Sequence, residues 1–434
     1  MQFKQYPSYK NSGVEWLGDV PDEWNIKRFN YVFKENKQKN IGLKETNVLS
    51  LSYGNIKEKN IDDNKGLLPE SFETYQIIEP NDIIFRFTDL QNDKRSLRSA
   101  ISKYHGIITS AYIGVKTKEN ADFYNYLFRA YDLQKVFYSM GEGMRQSLKM
   151  DELNRMPIVL PNKGEQEKIV SFLDIETARI DNLIAKQEKL IELLEEQRKS
   201  IISHAVTKGL NPNAPMKDSG LEWLGEVPEH WGFSRLDAVS KIVRGNSAFA
   251  KMDLLESGEY VALQYGKTYK VNEINESFGS YVNQEFLKKS QIAEFGDTIL
   301  ISTSETLEDL GHSCFYARYD FGLIGGEQFL LKPKNQTFGK YIYYATKGFS
   351  AYLQRYATGL KVFRFNLDDL KKIYIPDISL VEQQKIAEFL DQETARIDIS
   401  VLKQNQLIEK LKEYRSSIIS HAVTGKIDVR EFGA

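Results

Sequence analysis

Apolar residues recur at alternating three- and four-residue steps in two long stretches, residues 165–207 and 382–424. In the first, Ile180, Ile184, Gln187, Ile191, Leu194, Arg198 and Ile201 fall on one stripe. In the second, the same stripe carries Ile397, Val401, Gln404, Ile408, Leu411, Arg415 and Ile418. This spacing predicts a coiled-coil-like seam rather than a broad core face. The other faces carry Lys, Glu and Gln, good helix formers that suit solvent. Neither stretch holds Gly or Pro between Glu165 and Val206 or between Glu382 and Val423, and Gly209 and Gly425 follow as stop signals. A lone amphipathic helix of this kind needs a partner for its stripe. The other copy supplies one, and a two-fold relation would pair the two antiparallel with one module at each end. Two readings stand for Gln187 and Gln404: buried polar pairs that fix register, or residues partly exposed at the seam edge.

The two stretches are copies of one segment, with 29 of 43 aligned positions identical at an offset of 217. A second repeat lies upstream of each: SGVEWLGDVPDEW at 12–24 returns as SGLEWLGEVPEHW at 219–231. A period this long is a duplicated domain rather than a solenoid. The pattern divides the chain into a Trp-motif lead-in (1–24), a first module (25–163), a helix (164–209), a linker and second lead-in (210–231), a second module (232–379), and a distal helix with its tail (380–434). The order of parts would bring the chain ends together in a pseudo-two-fold circular arrangement. The four Trp of the chain all lie in the lead-ins. They read as anchors onto the adjoining modules or, alternatively, as platforms for stacked bases. His204 and His421, in the shared SIISHAVT ends, read as cations near a helix C-terminus or as ligands.

The modules match only weakly, yet a common frame survives. VLSLSYG (48–54) resembles YVALQYG (260–266), EPNDIIFRF (79–87) resembles EFGDTILIS (294–302), and GIITSAYIGVK (106–116) resembles GLIGGEQFLLK (322–332). Short alternating runs bounded by Gly, Asn and Asp predict strands. An aromatic amphipathic helix is expected in each module, at 120–137 and 337–354. The fold class is α+β: two globular α/β modules separated by two long antiparallel coiled-coil-like helices.

Composition narrows the class without naming an activity. The chain is long enough for several cores. It has no apolar run of 18 residues, hence no expected membrane span, and no leader-like N-terminus, so a cytoplasmic protein is expected. One cysteine, Cys314, excludes an internal disulfide and a Cys-based zinc site. The net charge of −2 is unevenly spread: the first module is +5, the second +1 and the remainder −8. Local contact with DNA is permitted but not demanded.

The residues able to read bases sit in the least matched, loop-like segments. They are Arg95 and Arg98 after Phe87, and Arg145, Gln146, Ser147 and Lys149 after Met140. In the second module the corresponding places are TSETLEDLGHS (302–313, less its first Ser) and TGLKVFRFN, with Lys361, Arg364 and Asn366. Arg and Lys can donate to guanine, and Asn and Gln can pair bidentately with adenine. The competing reading is ordinary solvated loop charge.

The duplicated EQxKIxxFLDxETARID helix, the WLGxVPxxW lead-in and the two diverged modules together resemble the specificity subunit of Type I restriction–modification systems along nearly the whole chain. The resemblance implies that each module is a target-recognition domain for half of a split site in double-stranded DNA. It also implies that the helices space the modules and dock two methyltransferase subunits, with restriction/translocase subunits completing the complex. S-adenosylmethionine, ATP and magnesium are then expected on partner subunits and no cofactor on this chain. The absences agree: there is no adenine-methyltransferase tetrapeptide (NPNAP at 211–215 is not one), no Walker A motif and no metal-ligand cluster. A non-catalytic DNA-specificity subunit is therefore expected. The alternative is a structural or regulatory scaffold of a restriction complex with degenerate modules.

Overall fold

The computed structural model describes residues 3–60, 71–88, 90, 97–140, 147–334 and 337–432. The chain forms two compact units: Met1–Gln187 with Asn405–Ala434, and Glu188–Gln404. The boundaries cut through both long helices, so each unit contains half of each helix and one complete module.

In the first unit the module opens with strand β1 (Asn25–Arg28) and β2 (Phe33–Glu35). It continues through β3 (Ile83–Phe85), β4 (Ser99–Ile101), β5 (Ile113–Thr117) and helix α1 (Ala121–Leu133), and ends in β6 (Pro157–Leu160). The main sheet has the order β2-β5-β3-β4, all antiparallel. Buried Ile83, Phe85 and Val115 meet Phe123, Tyr124, Leu127, Phe128 and Tyr131 of α1. Those α1 positions repeat at helical spacing, which is why an aromatic-rich segment folds as a helix with one face buried. β1 and β6 pair antiparallel, Arg28 opposite Pro157 and Asn25 opposite Leu160, so the module enters and leaves through one ribbon.

Helix α2 (Lys163–Lys208) follows. The second unit repeats the scheme with β7 (Gly232–Arg235), β8 (Ser240–Arg244), β9 (Thr298–Ile301), β10 (Ser313–Tyr316), β11 (Gln328–Pro333), helix α3 (Gly339–Leu353), β12 (Tyr374–Asp377) and helix α4 (Leu380–Val423). Its sheet runs β8-β11-β9-β10, the order of the first module, with Glu273–Ile274 added in parallel at the β10 edge. β7 and β12 form the same entry–exit ribbon, Gly232 opposite Asp377. The weak sequence frame also survives in one polar pair: Asp82 and Asp297 each precede a central strand, and they face Lys116 at 3.6 Å and Lys332 at 2.8 Å.

Within each unit the helix halves are antiparallel. In the first, Ile169, Phe172, Leu173 and Ile180 of α2 share a core with Ile418, Ile419, Ala422 and Val423 of α4. In the second, Ile202, Ala205 and Val206 share one with Ile386, Ala387 and Leu390. Ile180, Ile397, Ile408 and Ile418 are buried. Ile184, Gln187, Ile191, Leu194, Ile201, Val401, Gln404 and Leu411 are half-buried, among mostly exposed neighbours. The stripe widens toward the α2 C-terminus, where Ile202 is buried more deeply than Ile201, because the module packs there as well. One ion pair occurs in both units at repeat-equivalent positions: Arg415 with Asp181 and Arg198 with Asp398. The Arg415–Asp181 pair is solvated on both sides and contributes under about 1 kcal/mol, whereas Arg198 is mostly covered and only its partner Asp398 is exposed. Asp181→Ala is accordingly expected to change the urea midpoint only slightly, and a loss above about 2 kcal/mol would mean that the pair does more than set register.

The lead-ins are more regular than expected. Each is a β-hairpin, Tyr9–Asn11 with Asp19–Pro21 and Met216–Asp218 with Glu226–Pro228, and SGxEWLG forms its loop. Gly18 and Gly225 take φ of 57° and 59° there. Trp24 and Trp231 are fully buried, as the anchor reading requires. Both helices end on glycines with positive φ, Gly209 (73°) and Gly425 (74°), against which Trp231 and Trp24 pack. The chain ends lie together in the first unit, where Lys4 bridges to Asp428 and its ammonium pairs with Glu431 at 2.6 Å.

His312, beside β10, is half-buried and donates from Nε2 to the Val271 carbonyl at 2.9 Å. Burial, with Lys347 nearby, pushes its pKa down to about 4. The unfolded chain takes up that proton near 6.5, so this contribution to stability is complete above pH 6.5 and is lost as pH falls toward 4. We expect a loss of at most about 3 kcal/mol over that window, and a flatter acid limb in His312→Gln. Identical acid limbs would exclude the histidine as its source.

Candidate nucleic-acid interface

The helix repeats first fix the modules. Buried Gln166 accepts the Asn120 N–H at 3.0 Å and donates to the Pro161 carbonyl at 2.9 Å, holding the start of α1. Gln383 does the same for Phe338 (2.8 Å) and Ile378 (2.9 Å) at the start of α3. Tyr126 of α1 donates to Asp174 at 2.8 Å, and Tyr344 of α3 donates to Asp391 at 2.5 Å. The repeated EQ, FLD and ET residues are therefore module-docking residues. Tyr126→Phe is expected to cost about 1 kcal/mol, measured by urea unfolding; no change would mean that the bond to Asp174 contributes nothing net.

On each module two loops converge at one place. In the first, the Leu148 N–H donates to the Phe87 carbonyl at 3.3 Å, so the segment after β3 meets the segment before the short helix Met150–Arg155. In the second, the Phe365 N–H donates to the Ser302 carbonyl at 3.2 Å, and Thr303–Ser304 pair antiparallel with Phe363–Arg364. Leu148 and Phe365 are buried plugs at equivalent positions. The ribbon of the second module is pinned further by reciprocal backbone bonds between Thr358 and Arg364, each 3.0 Å. Phe365 stacks on Phe329 below it, which leaves Arg364 exposed on a rigid backbone, with Lys361 exposed at the adjoining tip.

The candidate residues separate into groups. Arg95, Arg145 and Gln146 lie outside the described residues. Ser147 is half-buried and Lys149 exposed. Two candidates need correction. Arg98 is not a surface reader: it is fully buried, it donates to the Thr88 carbonyl at 3.2 Å and the Tyr138 hydroxyl at 3.4 Å, and its backbone N–H donates to Asp132. It braces the backbone at Thr88 from within the core. Asn366 is exposed, but its side-chain oxygen accepts from the Asp368 and Asp369 N–H groups at 2.9 and 3.1 Å. It is an N-cap, and bidentate pairing with adenine would sacrifice a bond worth about 1 kcal/mol. Lys149 occupies the same cap position in the first module, where its backbone N–H donates to Glu152 at 2.6 Å.

Sequence reasoning missed the turn that follows the strand Tyr260–Leu263. Tyr265 and Tyr269 stack at 5.6 Å there, and Lys267 and Lys270 are exposed. The signal was available in YGKTYK, a basic run with interleaved tyrosines. Among the described residues no group of His, Cys, Asp and Glu could hold a metal, and no helix is long and apolar enough to cross a membrane.

Two equivalent α+β modules, each clasped by an entry–exit ribbon and fastened to paired helices, with different side chains at a shared loop junction, define a duplicated recognition subunit. The family model described as Type I restriction modification DNA specificity domain matches residues 21–195 and 228–410. The chain belongs to that family, the specificity subunits of Type I restriction–modification systems. It is similar to the type I restriction enzyme MjaVIII specificity subunit of Methanocaldococcus jannaschii, 24% identical over 99% of this chain and 98% of the relative. It is also similar to the type I restriction enzyme EcoKI specificity subunit of Escherichia coli K12, 26% identical over 47% of this chain and 44% of the relative. The fold matches that of the HsdS subunit from Thermoanaerobacter tengcongensis, with TM-score 0.54 at 15% identity over 94% of this chain and 98% of that one. A chain from a study of complex assembly and conformational transition in the type I R-M system gives 0.68 at 15% identity, over 93% and 98%.

Proposed function

We propose that the chain reads a bipartite, asymmetric DNA site, one half per module, and docks adenine-methyltransferase and restriction subunits on its helices. The observation that carries this reading is the shared loop junction: the same backbone bond recurs in both modules, but Ser147-Leu148-Lys149 stands in one and Arg364-Phe365-Asn366 in the other. One scaffold with different side chains implies two different half-sites. Docking is supported by Leu190, Leu193, Ile399 and Leu402, exposed apolar residues on the helices of the second unit. Methyl donor, nucleotide and magnesium belong, on this reading, to the docked partners.

The test is selection of bound duplexes from a random pool by the chain co-expressed with its modification subunits. The expected result is two short unlike half-sites centred about one helical turn apart; a single continuous site would sink the bipartite model. Arg145→Ala is expected to alter preference at the first half-site alone. With a net charge of −2, the isolated chain should bind DNA weakly, because the partners supply much of the phosphate contact.

A further inference from the structure

The junction of the second module is poor in positive charge. Glu305, Glu308 and Asp309 follow Thr303–Ser304, against Lys361 and Arg364 on the opposing segment. A duplex seated there needs phosphate-neutralising charge from a neighbouring element. A cleft of about 470 Å³ in the same module provides it. Lys251, Lys267 and Lys270 line the cleft, over a floor that includes Leu254, Val271 and Phe278. Its one lining acid, Glu273, is paired with Lys340 at 2.9 Å, which leaves the lining strongly cationic.

The lysine-bearing turn is built onto the core. The buried Thr268 hydroxyl donates to Gln328 Oε1 at 2.6 Å, and Gln328 Nε2 donates to the Leu263 carbonyl at 2.8 Å. The turn also lies close to the reading ribbon, because its anchor Gln328 pairs with Ile301, and the next residue, Ser302, accepts the Phe365 N–H. The first module carries a parallel feature. Its strand Leu49–Ser52 is followed by Tyr53-Gly54 and by exposed Lys57 and Lys59. Tyr53 is 73% exposed and takes φ 46°, a left-handed conformation that costs energy in a non-glycine residue. Arg129 holds that turn by donating to the Gly54 carbonyl at 2.9 Å.

We propose that the Lys251–Lys267–Lys270 cleft is a DNA-backbone seat. It receives two neighbouring phosphodiester groups beside the half-site that faces the Arg364 ribbon and adds affinity without sequence preference. The inference rests on the DNA-reading function proposed above. It is tested with the double variant Lys267→Gln/Lys270→Gln in the full chain co-expressed with modification subunits. Binding to the selected duplex and to a scrambled duplex is titrated across salt concentrations. Loss of two phosphate contacts is expected to flatten the slope of log K against log salt by about 2. Affinity for both duplexes should fall by a similar factor, roughly tenfold, with half-site preference intact. Lys267→Arg/Lys270→Arg should restore the wild-type slope, and unchanged melting curves show that the variants are folded. An unchanged slope, in a complex whose wild type selects its site, overturns the seat and leaves the reading function standing. Altered preference at the second half-site also overturns it, because the lysines would then read bases. A wild-type complex with no sequence selectivity overturns both proposals.

Discussion

Trp231→Ala is expected to destabilise the second unit by about 3–5 kcal/mol. Three losses coincide at this residue. The largest apolar side chain of the lead-in leaves a core that includes Val206, Leu224 and Ile386. The indole N–H, which donates to Glu382 at 3.0 Å, disappears and leaves a half-buried carboxylate oxygen without its donor. The indole ring that covers Gly209 at the end of α2, 3.1 Å from where a Cβ would sit, is removed as well. Trp24→Ala repeats the first and third of these losses in the first unit, where the ring packs beside Gly425 and meets Tyr6 edge-on. Urea unfolding followed by helix ellipticity measures both variants. A loss below about 1 kcal/mol would show that the lead-in is not fastened as described, and Trp231→Phe should recover part of the deficit.

Arg364→Ala is expected to relax discrimination at one half-site by ten- to a hundredfold, about 1–3 kcal/mol, and to leave the other half-site unchanged. The expectation follows from placement. Phe363 is half-buried, Phe365 is a buried plug, and the residue between them projects into solvent from backbone held on both sides. A donor presented this rigidly loses little freedom on binding, so its removal should act on selectivity rather than on fold. Selection from a random pool with the variant complex reads the outcome directly. Equal relaxation at both half-sites, or none at either, would remove Arg364 from the reading surface.

The scaffold was legible in the sequence because it is local and written twice. A three–four stripe without Gly or Pro can hardly be anything but a long helix, and Gly209 and Gly425 mark its ends. The antiparallel pairing followed from the need to cover that stripe. The module frame was visible only as faint matches such as EPNDIIFRF with EFGDTILIS, and it held because Asp82 and Asp297 keep the same lysine-paired place. Two things escaped. Whether a loop arginine faces water or core is settled by tertiary packing, so Arg98 looked like a reader until Asp132 and Tyr138 closed around it. Asn366 resembled a base-pairing residue because a helix cap and an adenine contact call for the same short amide. The lysine turn at 267–270 follows a stretch where the two modules agree, so divergence between them did not mark it.

The ribbons β1–β6 and β7–β12 carry one more consequence. Each brings the first and last strands of about 140 residues into direct register, so the backbone enters and leaves the module through one two-stranded neck, beside the α1 and α3 contacts that fasten it to the long helices. Whatever the chain does beyond the neck, however long its loops grow or shrink, the endpoints handed back to the helices stay the same. Insertions, deletions and replacements in loops distal to the neck and to the α1 and α3 contacts are thereby mechanically silent to the rest of the protein. Such a joint suits a molecule whose outer surface must change often while its means of assembly does not.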